Sequence, residues 1–475
     1  YMVTLMENMF KLEKGKQIIT ILILGGFFSM LNETALNVAF PHIMTEYAIT
    51  ATTVQWLTTA YVLVSGIVFL TTAFLMKKYS TRKLFLSAMI LLIIGSVVSI
   101  LSGNFTILLI GRIIQALGTG IIVPLVFNSV MYITIPHKRG LMMGIVSLVV
   151  LSAPIFAPVI MGLIMEFTDW HLYFIIMLVL FIVSAIIAYR KLENITKTSP
   201  AKLDIVSLVL AAIGCCLIIY GFSNLGEISL SNVIAILLVG VIIVGLFAYR
   251  QLHTDHPLLG IGVFKDKLFT IGILTNLANV MLIFGIVILI PMYLETSLHT
   301  SSLTASLIML PGTILGSILP IIAGHIYDEH GPRIVICTGI GIMALSAYSL
   351  TMINLNTSFL IIGLIICGFY IGSGLSLSPN QTNTLGNLKS EEYASGSAIM
   401  TSTQQMGGAI GSSLFTSFMT IGQNSYLSTI TNPTALQHSI ALIKGVNFSF
   451  LISAIMMAII FILTLFLKQN KNYSS

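Results

Sequence analysis

The sequence predicts an all-α membrane protein, and three observations support that prediction. Of its residues, 56% are hydrophobic and 8% are charged, whereas a soluble domain carries about 25% charged residues. The mean hydropathy is +1.01. Apolar segments also follow one another along the whole chain. A chain this apolar cannot cover its surface with polar groups, so its expected solvent is lipid.

Fourteen segments reach the length of about 20 apolar residues that a spanning helix needs. The first is expected to stay in the mature protein, because it is too long for a signal peptide and lacks a small-residue cleavage site. The predicted spans are 18–40, 54–76, 84–102, 106–133, 141–165, 172–189, 205–223, 233–249, 268–293, 303–326, 334–353, 358–386, 394–421 and 446–467.

The distribution of Lys and Arg predicts the orientation of these spans. With the N-terminus inside, 20 of the 22 basic residues fall in cytoplasmic segments, Lys444 lies outside, and Arg112 lies within a span. One missed or additional helix would invert every later loop and destroy this segregation. We therefore predict that both termini are cytoplasmic. The basic charge then reflects membrane topology, and no nucleic-acid partner is expected.

The chain repeats itself. Segment 73–83 joins helices 2 and 3, segment 324–334 joins helices 10 and 11, and the two are 251 residues apart. Two six-helix halves in direct succession would be offset by about 200 residues, so the surplus predicts two inserted helices. The predicted domains are an N-terminal six-helix bundle at 1–190, two inserted helices with their linkers at 191–267, and a C-terminal six-helix bundle at 268–475.

Several motifs occur at matching helices. Segment 31–41 resembles L-D-x-T-x-x-N-x-A-L-P, segment 111–118 resembles R-x-x-Q-G-x-G, and segment 157–162 is a divergent form of G-P-x-x-G-G. Further matches are Gln55, Trp56 and Tyr61 in helix 2, Trp170 after helix 5, and the linker 257–264. In this order the motifs resemble those of the fourteen-helix drug–proton antiporter family of the major facilitator superfamily, over nearly the whole chain.

The resemblance implies a bacterial multidrug efflux pump of the cell membrane. Such a pump exports amphipathic, often cationic drugs by alternating access in exchange for protons. Its expected partners are small-molecule drugs, protons and the lipid bilayer, as a monomer without a cofactor or metal. The implied substrate-binding residues are Asn32, Glu33, Asn37, Trp56, Tyr61, Gln115 and Pro158.

The sequence departs from the family pattern at three places, one of which is segment 157–162, where Ala157 and Met161 replace two glycines. Asn32 occupies the acidic position of the helix 1 motif, and the carboxylate is displaced to Glu33. In the loop between helices 2 and 3, Lys77 replaces the usual Asp and Ser80 replaces Gly. The C-terminal copy keeps the pattern, so we predict that it supplies most of the cytoplasmic gate. The predicted gating residues are Asp328, Gly331 and Arg333.

Two charges inside the predicted spans suggest where a proton could be exchanged. Glu33 is the only acidic residue deep in a span, roughly 12 Å from the outer helix end, and Arg112 lies about 9 Å from the same side. An ionisable group there costs about 2.5–3.5 kcal/mol, so it usually faces a partner or a watery cavity. We predict that the two residues form a proton-coupling site. The alternative is that Glu33 reaches the outer interface while Arg112 braces helix 4.

Two other functions are weighed against drug efflux. The same fold could export a native metabolite, lipid or osmolyte. A polytopic membrane enzyme would need a nucleophile–base pair or a metal cluster. The histidines at 42, 137, 171 and 325 lack ligand spacing, and the four cysteines lie singly or adjacent in apolar runs. No P-loop is present either, so transport driven directly by ATP is not expected.

Overall fold

The computed structural model describes residues 2–49, 51–54, 56–135, 138–195, 204–223, 228–254, 257, 259–300, 302–430 and 432–467. These segments contain fourteen helices of 19 or more residues, which we number α1 to α14. They are α1 Met2–Thr34, α2 Trp56–Lys78, α3 Thr81–Ile100, α4 Phe105–Ile133, α5 Arg139–Phe167, α6 His171–Lys191, α7 Ile205–Ser223, α8 Leu230–His253, α9 Lys267–Met292, α10 Ser302–His330, α11 Pro332–Leu350, α12 Phe359–Gly386, α13 Tyr393–Leu427 and α14 Ala435–Thr464.

Twelve helices in the described part of the chain are long and apolar enough to cross a membrane. The two long helices outside this group are α5 and α13. In α5 the described apolar stretch is the shorter run Arg139–Val150, and α13 is rich in Ser, Thr, Gln and Gly. The predicted all-α membrane fold is therefore confirmed with twelve candidate spans, and the count of fourteen stays a prediction.

The first span is not one continuous α-helix. The α-helix ends at Thr34, a 3₁₀ turn covers Ala35–Ala39, and a short helix follows at Phe40–Tyr47. Pro41, which directly follows the predicted span 18–40, lies in the first turn of that short helix. Proline favours this place because its missing N–H would have no intrahelical partner there. In the ninth helix the α geometry changes to a π-helix at Tyr293–Ser297, directly after Pro291 and Met292.

The chain divides into two compact units. The first comprises 1–208, 254–261 and 389–402, and the second comprises 209–253, 262–388 and 403–475. In the first, α3 packs on α4 and α6, α4 packs on α2, and α1 packs on α5. In the second, α12 packs on α10 and α11, and α11 packs on α14. The division at residues 190 and 267 remains a prediction.

The two copies of the repeated loop have different backbones. Gly331, before α11, has φ 83° and ψ 177°, a region that only glycine adopts at low cost. Its counterpart Ser80, before α3, has φ −69° and ψ 151°, which is ordinary extended backbone. The replacement of Gly by Ser in the first copy is therefore compatible with its turn.

Replacing Gly331 by Ala should lower the stability of the protein by about 1–3 kcal/mol, because alanine must adopt this strained backbone conformation. The apparent melting temperature of detergent-purified protein measures the effect. Ser80→Ala is the matched control, since the Ser80 side chain makes no capping hydrogen bond. Equal melting temperatures for the two variants would show that the backbone at Gly331 does not require glycine.

Candidate functional site

Arg112 is fully buried on α4, and its guanidinium contacts the end of the α-helix of α1. Nη1 donates to the carbonyl oxygen of Asn32 at 2.8 Å, and Nη2 donates to the carbonyl oxygen of Glu33 at 2.9 Å. Both carbonyls lie in the last turn of α1, where a helix leaves its carbonyl groups without intrahelical partners. Arg112 therefore supplies donors to backbone acceptors that water would satisfy in a soluble protein.

Two further contacts hold this arginine in place, and a third holds its partner Gln115. Its Cζ atom lies 4.2 Å from the ring centroid of Tyr61 on α2, within the range of a cation–π interaction. Nη1 also donates to Gln115 Oε1 at 3.2 Å, and Gln115 Nε2 donates to Ser96 Oγ at 3.0 Å on α3. The guanidinium thus connects residues of α1, α2, α3 and α4.

Close packing of α3 and α4 makes this arrangement possible. A Cβ atom on Gly118 would lie 2.8 Å from the carbonyl oxygen of Ala88 and 2.9 Å from Leu92 Cγ. Only a residue without a side chain fits at that contact without displacing backbone. Gly118 therefore sets how closely the helix that carries Arg112 approaches α3.

Tyr61 extends the cluster toward α1. Its hydroxyl lies 2.5 Å from Thr119 Oγ1, donates to the carbonyl oxygen of Ser29 at 3.4 Å, and accepts from Asn32 Nδ2 at 3.5 Å. Tyr173 on α6 donates to the carbonyl oxygen of Leu31 at 3.2 Å. The last two turns of α1 therefore receive hydrogen bonds from three other helices.

Glu33 is 7% exposed, and its carboxylate interacts electrostatically with the Arg112 guanidinium. The structure therefore brings together five of the predicted residues. Asn32 Oδ1 and Arg112 Nε are buried and have no hydrogen-bond partner among the described residues. Buried polar atoms normally have one, so this acceptor and this donor indicate a place for a small polar group or water.

The other predicted substrate residues lie elsewhere. Asn37 is exposed in the 3₁₀ turn, where its Oδ1 accepts from Thr58 Oγ1 at 2.5 Å. Trp56, at the start of α2, is 53% exposed. Pro158 lies within α5, and its side chain is outside the described part of the chain. The geometry thus supports a smaller cluster than the sequence suggested.

The predicted gating residues lie in the second unit. Asp328 is half-buried at the end of α10. Gly331 precedes α11 without a side-chain capping hydrogen bond. Its backbone N–H donates to the carbonyl oxygen of Tyr327 at 2.9 Å. Arg333 is exposed at the start of α11. Lys77, the counterpart of Asp328 in the first unit, is half-buried in the last turn of α2. The positive φ of Gly331 marks the turn between α10 and α11, and the gating role of these residues stays a prediction.

Sequence reasoning missed a neutral polar cluster in the second unit. Asn279 on α9 donates from Nδ2 to Ser376 Oγ at 2.7 Å and accepts from Ser373 Oγ at 3.1 Å. Gln404 on α13 donates from Nε2 to Asn276 Oδ1 at 3.2 Å. These contacts join α9, α12 and α13 through amides and hydroxyls.

The same cluster continues along α12. Asn380 Nδ2 donates to the carbonyl oxygen of Gly272 at 2.8 Å, while Asn380 Oδ1 and Asn276 Nδ2 are buried without hydrogen-bond partners among the described residues. The sequence does contain a signal. Segment 378–384 reads S-P-N-Q-T-N-T inside an apolar helix, and all of it is buried. A search for charged residues passes over such a run.

An arginine–tyrosine cluster in the first unit was also missed. Arg139 Nη1 donates to the hydroxyl of Tyr393 at 2.8 Å, and its guanidinium lies 5.3 Å from the Tyr393 ring centroid. Tyr132 packs edge-on against Tyr393 at 5.5 Å and donates to the carbonyl oxygen of Ser390 at 2.6 Å. These contacts fix the end of α4 and the starts of α5 and α13.

One acidic cluster has the spacing of a metal site. Ligand atoms of Glu46, Asp169 and His171 all lie within 4.8 Å of one another. Trp170 Nε1 donates to Glu46 Oε2 at 2.8 Å, and His171 Nδ1 lies 2.6 Å from Asp169 Oδ2. These hydrogen bonds account for the cluster without an ion, so it carries no argument for a metal.

Comparisons with known proteins agree with this fold. A sequence profile of the Major Facilitator Superfamily matches residues 22–412. Lincomycin resistance protein LmrB of Bacillus subtilis (strain 168) is 37% identical over 455 residues, which cover 95% of each chain. The riboflavin transporter RibZ of Clostridioides difficile (strain 630) is 26% identical over 464 residues, which cover 97% of this chain and 99% of that protein.

Solved structures show the same architecture. The proton:xylose symporter XylE aligns with a TM-score of 0.66 at 14% sequence identity, covering 95% of each chain. The human organic anion transporter MFSD10 aligns with a TM-score of 0.64 at 12% identity, covering 93% of this chain and 99% of that chain. At these identities the likeness establishes the fold alone. With the profile match and the relative at 37% identity, it follows that the chain belongs to the major facilitator superfamily and is a multi-pass membrane transporter rather than an enzyme.

Proposed function

We propose that this protein is a proton-coupled antiporter that exports amphipathic, often cationic drugs from the cytoplasm by alternating access. The buried cluster of Glu33, Arg112 and Tyr61 is the observation that carries the proposal. Relatives named for drug resistance support it: LmrB, and the multidrug resistance protein B homolog of Mycobacterium tuberculosis (strain ATCC 25618 / H37Rv), which is 24% identical over 406 residues.

The exchange follows from charge balance at Glu33. Burial favours the neutral carboxylic acid, whereas the nearby guanidinium of Arg112 favours the charged carboxylate. A cationic drug beside the carboxylate replaces the proton that the neutral acid would hold, so the site accommodates one or the other. For a monovalent cationic drug the exchange moves no net charge, so a pH difference of one unit supplies about 1.4 kcal/mol for each proton, enough for a roughly ten-fold drug gradient.

We further propose that α5 and α13 cross the membrane, which gives fourteen spans. With 29 and 35 residues, they extend about 43 and 52 Å at 1.5 Å per residue, more than the 30 Å hydrocarbon layer requires. The polar composition of α13 is tolerated because most of its described residues are buried or half-buried. An even number of spans and the positive-inside rule support a cytoplasmic location for both termini. The drug-resistance relatives are bacterial, which supports a bacterial plasma membrane.

A second candidate is export of a neutral, hydroxyl- or amide-rich metabolite. The uncharged cluster around Asn276 and Asn380 favours it, because buried amides recognise hydrogen-bonding groups rather than charge. The relative named as a riboflavin transporter aligns over 97% of this chain and 99% of its own length. The two candidates share the antiport step and differ in cargo.

Transport in everted membrane vesicles tests both. Respiration acidifies the vesicle lumen, so an antiporter should accumulate ethidium or lincomycin there, and nigericin should abolish the accumulation by collapsing the pH gradient. Accumulation of riboflavin alone would favour the metabolite exporter. Uptake of the monovalent cation ethidium that persists without a pH gradient would contradict proton antiport.

Glu33→Gln should reduce proton-driven uptake of a monovalent cationic dye to background, because glutamine can neither bind nor release a proton. Yield and melting temperature should stay near those of the wild type, since the Glu33 carbonyl that accepts from Arg112 is retained. Glu166→Gln is the matched control, an exposed glutamate at the end of α5. Normal dye uptake by Glu33→Gln would exclude this residue as the coupling carboxylate.

Arg112→Lys should lower the transport rate at least ten-fold while the protein still folds. A lysine ammonium lacks the planar fork that reaches two adjacent carbonyls at once. Arg112→Ala should also lower stability, because each buried carbonyl left without a donor costs about 1–3 kcal/mol. Dye uptake and melting temperature measure the two effects, with Arg250→Lys at the end of α8 as control. Normal transport by Arg112→Ala would leave this residue only a bracing role.

Asp328→Asn should expose the cytoplasmic side of the protein more often, because the C-terminal loop supplies most of the predicted gate. Loss of a charge-assisted contact of about 1.5–3 kcal/mol shifts the ratio of two states roughly ten- to a hundred-fold. Labelling rates of a cysteine introduced on the cytoplasmic face measure the change. Lys77→Ala should change them little, and equal effects of the two substitutions would show that the gate is symmetric.

A further inference from the structure

A basic cavity of about 380 Å³ lies at one end of the first unit. The cavity lies where the apolar span of α1 and helix α3 begin and where α6 ends. Gln17 and Arg82 line it from α1 and α3, and Arg190, Lys191 and Glu193 line it from the end of α6 and the segment that follows. Because the ends of membrane spans lie at the boundary between lipid and water, this cavity faces the headgroup region.

The charge of the cavity favours an anion. Three of its lining residues are basic and one, Glu193, is acidic. Basic residues at helix ends are expected from membrane topology alone. Topology does not require, however, that Arg82 from α3 and Arg190 and Lys191 from α6 surround one concavity.

Arg82 is positioned before any ligand binds. Its Nη2 donates to the carbonyl oxygen of Tyr189, and its guanidinium lies 4.9 Å from the Tyr189 ring centroid. Its backbone N–H donates to Asn194 Oδ1 at 3.3 Å. The positive end of the α3 dipole adds to the potential here. A guanidinium fixed in this way loses little conformational freedom when it binds a phosphate.

Exposed apolar side chains continue from the cavity along the same helices. On α6, Val183, Ile187 and Lys191 are four residues apart and therefore lie on one face, and Val183 and Ile187 are exposed. On α3, Ile90 is exposed two turns beyond Arg82. Both helices that line the cavity and pack on each other therefore carry exposed apolar side chains within about two turns of it.

We propose that this cavity binds the headgroup phosphate of an anionic glycerophospholipid, whose acyl chains follow the exposed faces of α3 and α6. Such basic pockets at helix ends are suited to acidic lipid headgroups. The proposal does not depend on the cargo or on proton coupling.

Native mass spectrometry of the full-length protein, released from neutral detergent, tests the proposal with three probes. These are phosphatidylglycerol, zwitterionic phosphatidylcholine, and glycerol phosphate without acyl chains. Phosphatidylglycerol should bind at least ten-fold more tightly than either of the others. Equal binding of phosphatidylcholine, or equal binding of glycerol phosphate, would overturn the proposal: the first shows acyl-chain contact alone, the second a site for free phosphate.

Substitutions in the lining of the cavity test which side chains bind the headgroup. The double substitution Arg190→Gln and Lys191→Gln should weaken phosphatidylglycerol binding about ten-fold for each lost charge-assisted contact, and it spares the contacts of Arg82 with Tyr189. Glu193→Gln should strengthen binding several-fold. Lys83→Gln, which removes an exposed charge from the first turn of α3 outside the cavity, should leave binding unchanged. An equal loss in Lys83→Gln and in the double variant would show a non-specific charge effect.

Discussion

A charged guanidinium buried inside a membrane protein needs hydrogen-bond acceptors that the lipid cannot provide. Arg112 finds them at the end of the α-helix of α1, where the carbonyl oxygens of Asn32 and Glu33 accept from its two terminal nitrogens. A continuous helix would use those carbonyls for its own next turn. The change to 3₁₀ geometry at Ala35 and the burial of Arg112 therefore depend on each other. The break supplies acceptors, and the arginine stabilises the broken end. Tyr61 and Tyr173 complete the arrangement from neighbouring helices.

In the second unit the buried polar side chains that join the helices are uncharged. Among the described residues, the buried ionisable acids and bases are Glu33 and Arg112, both in the first unit. The second unit instead buries asparagines, glutamines and hydroxyls on α9, α12 and α13. Its helix break after Pro291 takes the form of a π-helix. The two units thus differ in electrostatics: the residues proposed for proton exchange lie in the first, and the uncharged amide cluster lies in the second.

The sequence predicted the positions of the helices well, because lipid imposes a length and a composition that a single sequence displays. It also predicted that Glu33 and Arg112 lie at similar depth. It did not predict that Arg112 binds the Glu33 carbonyl, since contacts with backbone atoms leave no residue pattern. The break at Ala35 was hidden for the same reason. The amide cluster around Asn380 was readable as a polar run in an apolar helix, but a search guided by charge overlooked it. The replacement of Gly by Ser80 suggested that the first loop had lost its motif, whereas the extended backbone at Ser80 does not require glycine.

The described part of the chain buries one carboxylate, that of Glu33, and this limits the stoichiometry of the proposed exchange. If Glu33 releases one proton for each drug bound, exchange of a proton for a monovalent cation moves no net charge across the membrane. Such transport responds to the pH gradient alone. Exchange of a proton for a neutral cargo moves one charge, so the membrane potential contributes its roughly 2.3 kcal/mol per 100 mV as well. The response of transport to valinomycin-imposed potentials therefore reports the charge of the cargo. It also distinguishes the hypothesis of cationic-drug export, which rests on Glu33 in the first unit, from that of neutral-cargo export, which the amides of the second unit suggest.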